Sequence, residues 1–176
     1  DHGVSIVLHS ATKGIAGHND ATIGVIAGDA ELIGEIWGYS ILHGATASPF
    51  DAMNALRGVR TLDARLARQC ESAQTLAEWL SEQKNVTAVH YPGLKSHPQH
   101  ALAKKQMTYF GSVLSFEIAG GKTAATKLLS ALRLIHPAVT LGGTETLISH
   151  SASSTHNSVD ADTKAKTGIT DSLLRL

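Results

Sequence analysis

The feature that most constrains the fold is a long amphipathic segment between residues 62 and 83. Its apolar residues recur at steps of three and four, and charged residues fill the positions between them. This spacing predicts a single helix with one buried face. The residues of that face are Leu62, Leu66, Cys70, Ala73, Leu76 and Leu80. We expect this helix to lie at the junction between two structured regions.

Strands and helices alternate after this long helix. Residues 86–90 and 113–118 alternate apolar and polar side chains, which is typical of half-buried strands. Residues 97–106 indicate a weak helix, and residues 122–132 indicate an amphipathic one. The order strand, helix, strand, helix predicts a small α+β layer domain, with its boundary near residues 55–60.

The region before the long helix contains short, continuous apolar runs. Residues 4–8 and 23–27 have the character of strands that are covered on both faces. Asp29 is placed to cap a helix that runs to about Tyr39, and Asp51 to open a second helix. The first strand begins almost at the first residue, and the sequence ends within an apolar segment. We therefore expect the chain to be a fragment of a longer protein.

Composition excludes several classes of partner. Lys plus Arg and Asp plus Glu number 15 each, so the formal net charge is zero and offers no attraction to nucleic acid or to an anionic membrane. The apolar runs are too short to cross a bilayer. The single cysteine, Cys70, rules out an internal disulfide and favours a reducing, cytoplasmic location. Trp37 and Trp79 are predicted to be packing residues.

Lys13 stands where an apolar run meets a loop broken by glycines, in the stretch HSATKGIAGHND. A lysine amine that is partly removed from water loses some preference for its charged form and can form a Schiff base with a carbonyl. Ser10 and Thr12 could hydrogen-bond a phosphate on the same ligand. A phosphorylated aldehyde of this kind is pyridoxal phosphate (PLP). An ordinary solvated surface lysine is the alternative.

The stretch SATKGIAGH resembles the PLP-lysine signature of the Cys/Met-metabolism enzymes. That family includes cystathionine γ-synthase, cystathionine γ-lyase, methionine γ-lyase and the O-acylhomoserine sulfhydrylases. Gly14 departs from the signature, because an aromatic residue is common there. The matching residues are Ser10, Thr12, Lys13, Gly17 and His18. Further stretches resemble family segments in the same order: SPFDAMNALRGVRTL, VHYPGLKSHPQHALAKKQM, VTLGGTETLISHSASSTH and GITDSLLRL.

The resemblance implies roles for individual residues. Lys13 matches the Schiff-base lysine, which also moves protons during catalysis, and Ser10 and Thr12 match the phosphate ligands. Arg175 matches the arginine that binds the α-carboxylate of the amino acid, a task that suits a planar guanidinium. Thr140 stands where the family usually has a serine beside the same site.

Val139 bears on the choice of substrate within the family. Members that handle cystathionine often carry an acid at this position, which can pair with the distal ammonium of the substrate. An apolar residue looks more like a methionine γ-lyase or a sulfhydrylase. Ser151 replaces a usual proline, and His18 and His156 match family positions that we expect to be structural.

The family also implies an architecture and an activity. We expect an α/β fold of the aspartate-aminotransferase-like kind (fold type I), with residues 1–57 ending the PLP-binding large domain and residues 58–176 forming a truncated small domain. The implied reaction is γ-elimination or γ-replacement on a small amino acid, by a homo-oligomer built as a dimer of dimers. The residues that hold the pyridine nitrogen and stack on the ring would precede residue 1, so we expect the isolated chain to be inactive.

Two alternatives from other classes remain open at this point. Ser10 and Lys13 also fit the Ser-x-x-Lys motif of serine acyl-enzymes, and Lys166-Thr167-Gly168 fits their Lys-Thr-Gly, although no Ser-Asp-Asn lies between them. A catalytically silent domain that kept the fold is the second alternative. His90, His97 and His100 match no standard metal-binding spacing, so we predict no metal site.

Overall fold

The chain divides into two compact units in the computed structural model, which describes residues 3–176. The first unit contains the residues up to Asp63 together with Gly142–Thr144. The second contains Ala64–Leu141 and Glu145–Leu176. None of the helices within the described part of the chain combines the length and apolar character needed to span a bilayer.

The first unit pairs a two-stranded antiparallel sheet with two helices. Strands β1 (Ile6–Ser10) and β2 (Gly24–Gly28) form the sheet, and the helices are α1 (Ala30–His43) and α2 (Pro49–Val59). Both strands and both helices were predicted, with boundaries shifted by a few residues. The apolar runs are strands because their β-branched and aliphatic side chains suit a pleated surface.

Local signals explain where the two helices begin and end. Gly44 closes α1 in the left-handed conformation, at φ 71°, which glycine adopts without steric cost. Ser48 caps α2, since its hydroxyl accepts a hydrogen bond from the Asp51 N–H, and Pro49 occupies the first helical turn. Asp29 stands at the N-cap of α1, as predicted, but its side chain makes no capping hydrogen bond.

The first strand differs from its prediction in burial. The sequence indicated a strand covered on both faces, whereas β1 is largely exposed, with Val7 at 45% and Leu8 at 71% of full exposure. The reason is that, among the described residues, β2 is the main element in contact with β1, and a paired strand covers an edge of its neighbour and not its faces. Trp37 and Trp79 are also exposed, at 60% and 56%, so the prediction that they are packing residues is wrong for residues 3–176.

The second unit is built on a five-stranded sheet with the order β3-β4-β7-β6-β5. All neighbouring strands are antiparallel except β5 and β6, which are parallel. Helix α3 carries the chain into this unit, as predicted from its periodicity. The elements are α3 (Leu62–Ser81), β3 (Val86–His90), α4 (His100–Gln106), β4 (Ser115–Ile118), α5 (Gly121–Ala131), β5 (His136–Pro137), β6 (Leu147–His150), α6 (Ala161–Lys166) and β7 (Leu173–Arg175).

The core of the second unit lies between this sheet and its helices. Tyr91 and Leu174 are its largest fully buried side chains, and the hydroxyl of Tyr91 donates a 2.9 Å hydrogen bond to Gly111 O. Burial raises the pKa of Tyr91 to about 12 and also raises the pKa of the Cys70 thiol. Cys70 is buried, which confirms its predicted place on the core face of α3. The buried members of this core are Ala73, Ala77, Leu80, Tyr91, Leu94, Leu114, Phe116, Ala125, Ile148 and Leu174.

Candidate cofactor and substrate site

Lys13 lies half-buried in a tight run of turns that follows β1, residues 11–17, which we call the lysine loop. Its backbone N–H donates to Ser10 O at 3.0 Å, and its carbonyl accepts from Gly17 N at 2.8 Å. Ala16 N donates to Ala11 O at 2.8 Å, and both alanines are fully buried. The loop is thus held by its own backbone hydrogen bonds, which fix the starting point of the lysine side chain.

Thr12 ties the lysine loop to the second strand. Its hydroxyl donates to Ile23 O at 3.2 Å and accepts from Ile23 N at 2.9 Å, while its backbone N–H also donates to Ile23 O. The single hydroxyl proton is therefore directed at a carbonyl in this conformation. The predicted phosphate contact of Thr12 stays a prediction, and it requires this proton to rotate.

Ser10 has the more available hydroxyl of the two. It is exposed at the end of β1, and its side chain has no hydrogen-bond partner among residues 3–176. A β-carbon at Gly14 would have no atom within 4 Å, so the space beside Lys13 is open on that side. A primary amine, a hydroxyl donor and open space are what a phosphorylated aldehyde needs, so these residues fit PLP.

Polar contacts from α2 hold the segment that follows the lysine loop. Thr22 N donates to Asp51 Oδ1 at 3.0 Å, and Asn54 Nδ2 donates to Asp20 O at 2.9 Å. The hydrogen bond from Thr22, followed by one from Ser48, lowers the pKa of Asp51 below its ordinary value. The carboxylate therefore acts both as part of the helix cap and as an anchor for the neighbouring strand.

Small residues on the same face of α2 let the helix approach the lysine loop closely. Ala55 forms one buried cluster with Ala16 and Ala21. One turn later, a β-carbon at Gly58 would lie 2.2 Å from Ala16 O and 2.6 Å from Ile15 O. Four positions of α2 contact the lysine loop or the segment after it, at the i, i+3, i+4, i+7 spacing of a single helix face. They are Asp51, Asn54, Ala55 and Gly58. Any side chain at Gly58 would push the lysine loop and α2 apart.

A second glycine, distant in sequence, packs on the other part of the loop. Gly142 belongs to the first unit, and it has a φ of 90°, which favours glycine. A β-carbon there would lie 2.5 Å from Gly14 N and 2.7 Å from the Lys13 carbonyl carbon. Gly142 therefore touches the backbone of the predicted catalytic lysine itself.

Arg175 lies at the end of β7 in the second unit, next to the other two predicted substrate residues. Its Nη2 donates to Val139 O at 2.8 Å and to Thr140 O at 3.3 Å. Its Nε and Nη1 hydrogens have no partner among residues 3–176, so they can hold an anion. The two carbonyls aim the guanidinium, while Val139 exposes 55% of its surface and Thr140 is half-buried.

The described structure does not support the Ser-x-x-Lys alternative. That motif must begin a helix, but the residues after Ser10 form turns, and Gly17 has a positive φ of 71°. Lys166 ends the short helix α6. Both glycines of the loop, Gly14 and Gly17, also disfavour a helix.

The histidines of interest each have a local partner. His90 Nε2 lies 3.3 Å from Glu117 Oε1, His97 Nδ1 accepts from Gln99 N, and His100 Nδ1 donates to Pro92 O. Nδ1 of His18 donates to Ala16 O, and Nδ1 of His156 lies 2.8 Å from the hydroxyl of Thr155. Within residues 3–176, no group of three or more His, Cys, Asp or Glu side chains could hold a metal ion.

The sequence arguments missed the residues that shape the lysine loop. Asp51, Asn54, Ala55 and Gly58 carry a detectable signal, because small and polar residues at helical spacing predict a face for close approach. Gly142 carries a weaker signal in the sequence. Two adjacent glycines, Gly142 and Gly143, do not indicate which segment of the chain they contact.

Comparison with known proteins places the whole chain in one group. The family model described as Cys/Met metabolism PLP-dependent enzyme matches residues 1–176. L-methionine gamma-lyase of Pseudomonas putida is 43% identical over 176 residues, which cover 99% of this chain and 44% of that protein. Cystathionine beta-lyase of Coxiella burnetii is 46% identical over 99% of this chain and 46% of that protein.

The fold agrees with the sequence comparison. The crystal structure of cystathionine gamma synthase from Xanthomonas oryzae pv. oryzae superposes with a TM-score of 0.94 at 46% identity, covering 98% of this chain and 45% of that one. The predicted α/β fold of the type I PLP enzymes is therefore confirmed. The chain spans less than half the length of the relatives it matches. With its lysine motif in place on a matching fold, the chain belongs to the Cys/Met metabolism PLP-dependent enzyme family.

Proposed function

We propose that the complete protein containing these residues catalyses γ-elimination or γ-replacement on a sulfur-containing or O-acylated homoserine amino acid, in transsulfuration or methionine metabolism. The observation that carries the proposal is the family match over residues 1–176, with Lys13 half-buried in a rigid loop at a strand end. PLP, when bound, supplies an electron sink for the carbanion formed at the α-carbon. The complete protein is thus a PLP-dependent lyase or transferase.

Each candidate residue has a distinct task in this reaction. The Lys13 Nζ removes the α-proton and returns a proton to a neighbouring carbon. The Ser10 hydroxyl donates to the phosphate of the cofactor, with Thr12 as the second donor. The Arg175 guanidinium holds the α-carboxylate of the substrate through the hydrogens that Val139 O and Thr140 O leave available. Holding the carboxylate orients the bond to be broken, which is a positioning effect.

Substrate choice follows from the residue at position 139. Val139 presents no charge, so we propose a preference for substrates without a distal ammonium, such as methionine or an O-acylhomoserine. Relatives named for lyase and sulfhydrylase reactions have similar identity to this chain, at 43% and 42%. Identity alone therefore does not select between elimination and replacement.

A side-by-side assay of the complete protein tests the proposal. L-methionine, cystathionine and O-acylhomoserine are supplied separately, with and without an added thiol, and products are identified by mass spectrometry. Turnover of any of these with release or exchange of the γ-substituent supports the function. A colourless protein that turns over none of them is the silent domain, and one acylated by penicillin at Ser10 is the serine acyl-enzyme; either result rejects the proposal.

A single substitution tests the specificity argument. Val139→Glu adds a carboxylate that can pair with the distal ammonium of cystathionine. We expect kcat/KM for cystathionine to rise relative to that for methionine by about 10-fold, since such a pair contributes roughly 1.5 kcal/mol. Val139→Gln, which is similar in size but neutral, is the matched control. An unchanged ratio in both variants would rule out this role for position 139.

Assembly and location are also proposals. We propose a homo-oligomer, a dimer of dimers, because the family builds its site with residues of a neighbouring subunit; sedimentation of the complete protein tests it. A cytoplasmic location is proposed from the single cysteine, Cys70, and fractionation tests it.

A further inference from the structure

The lysine loop touches two glycines, and the contacts are too close to admit a side chain. At Gly142 a β-carbon would fall 2.5 Å from Gly14 N, 2.7 Å from the Lys13 carbonyl carbon and 2.9 Å from Lys13 Cα. At Gly58 a β-carbon would fall 2.2 Å from Ala16 O. Ordinary van der Waals contact begins near 3.4 Å. A methyl group at either position would therefore displace backbone by roughly 1 Å.

The displaced atoms are backbone atoms and not flexible side-chain ends. The loop cannot relax locally, because its N–H and carbonyl groups are used in hydrogen bonds between Lys13 and Ser10, Gly17 and Lys13, and Ala16 and Ala11. Both alanines are fully buried, so the loop is packed against its surroundings at these two positions. A push at Gly142 is therefore transmitted to the Cα of Lys13, from which the reactive amine extends.

We propose that Gly142 and Gly58 are positioning residues that hold the Lys13 backbone where its amine can serve the reaction. This inference rests on the proposed PLP-dependent function. Gly142 acts on Lys13 directly, through its Cα and carbonyl carbon. Gly58 acts on the far end of the loop, at Ile15 and Ala16, and its influence on Lys13 is weaker. The contact of Gly142 is made with the backbone of Lys13 itself.

Two other glycines provide matched controls. Gly111 has a φ of 93°, close to the 90° of Gly142, but a β-carbon there meets nothing within 4 Å. Gly111→Ala therefore places an alanine at a similar positive φ to Gly142→Ala without the collision. Gly38, inside α1, likewise meets nothing within 4 Å and is the control for Gly58, inside α2. Each pair separates the effect of the contact from that of adding a methyl group.

The experiment uses the complete protein in four variants: Gly142→Ala, Gly111→Ala, Gly58→Ala and Gly38→Ala. It measures the pH midpoint of the visible absorption band of bound PLP, the rate at which the apoprotein becomes trappable by borohydride after PLP is added, and kcat and KM. For Gly142→Ala we expect kcat to fall about 100-fold, as a displacement of 1 Å allows, with KM changed less than threefold. The absorption midpoint should shift and the trapping rate should fall by a similar factor.

The controls decide the outcome. Gly111→Ala and Gly38→Ala should keep the wild-type midpoint and trapping rate, and Gly58→Ala should fall between them and Gly142→Ala. If Gly142→Ala matches Gly111→Ala in midpoint, trapping rate and kcat, the proposal is overturned. If Gly142→Ala does not fold, Gly58→Ala against Gly38→Ala decides in the same way. A wild-type protein with no visible band and no borohydride adduct instead rejects the proposed function itself.

Discussion

The two units of the chain bury their residues in different ways. The second unit fills its core with large side chains, including Tyr91 and Leu174 at 1% and 0% exposure. The buried cluster of the first unit contains only alanines, with Ile23 packed against it, while Leu42 and Phe50 are 85% and 76% exposed. Large side chains thus stabilise the second unit, whereas small residues in the first permit close backbone contacts around Lys13.

The largest expected effect concerns chemistry in the first unit. Lys13→Ala should reduce kcat of the complete protein by about 1000-fold or more, because no other group replaces the proton-moving amine. Lys166→Ala, in the motif of the serine alternative, is the control and should keep its activity. If Lys166→Ala lost activity while Lys13→Ala kept it, Lys13 would not be the catalytic lysine.

The next effect concerns stability in the second unit. Leu174→Ala removes a fully buried side chain next to Arg175 and should lower the free energy of unfolding by about 2–5 kcal/mol. Leu134→Ala changes a leucine that is 84% exposed. It should alter the free energy of unfolding by less than about 0.5 kcal/mol. Urea denaturation of both variants measures the difference. Equal losses would show that burial of Leu174 in this core does not contribute the expected stability.

Hydrogen exchange compares the two units directly. In a chain of residues 1–176, the amides of β2 should exchange about tenfold or more faster than those of β4, because β2 is exposed and β4 lies inside the five-stranded sheet. Both strands belong to antiparallel pairs, so hydrogen-bond type is matched. Equal protection in this chain would contradict the contrast between the units.

A further effect concerns binding through the second unit. Arg175→Ala should raise KM for the amino acid by about 10- to 100-fold, since hydrogen bonds to a charged group contribute about 1.5–3 kcal/mol. The visible spectrum of bound PLP should be retained. Arg133→Ala, which changes an exposed arginine, is the control. Unchanged kinetics in Arg175→Ala would remove the carboxylate-binding role.

The smallest effect is a pH dependence. Burial raises the pKa of Glu117, but hydrogen bonds from Ser172, His90 and Thr170 outweigh it, so the pKa lies below its ordinary value. A carboxyl group whose pKa is lower in the folded state stabilises the fold at pH values above its pKa in the unfolded state. This stabilisation is lost as the pH falls through its pKa in the folded state. Glu117→Gln should therefore be less stable than wild type near neutral pH, and the gap should narrow as pH falls below about 4.5. If the difference in free energy of unfolding between Glu117→Gln and the wild type did not depend on pH, the lowered pKa of Glu117 would be rejected.

The sequence predicted elements whose signal is local. Helix α3 was located by its apolar spacing, and β3 was located at residues 86–90, because each pattern is complete within one segment. Strands β6 and β7 were missed, since each has only a few residues and is defined by its neighbours in the sheet. Helix α6 was also missed, although Asp160 caps it by accepting a hydrogen bond from Thr163 N.

The candidate site also has one part that the sequence predicts and one part that it does not. The motif around Lys13 can be found from the sequence, because the residue types needed for the chemistry are adjacent. The close contact of Gly142 with Lys13 could not be, because glycine carries no side-chain pattern and the two are far apart in the chain. Backbone contacts between distant segments are visible only once the fold is known.

The most direct test of the central claim is to locate the lysine that reacts with the cofactor. The complete protein is incubated with PLP, reduced with borohydride, digested and sequenced by mass spectrometry. We predict a single stable adduct on the Nζ of Lys13, which disappears in Lys13→Ala. An adduct on another lysine with Lys13 unmodified, or no adduct under conditions where turnover occurs, would contradict the account.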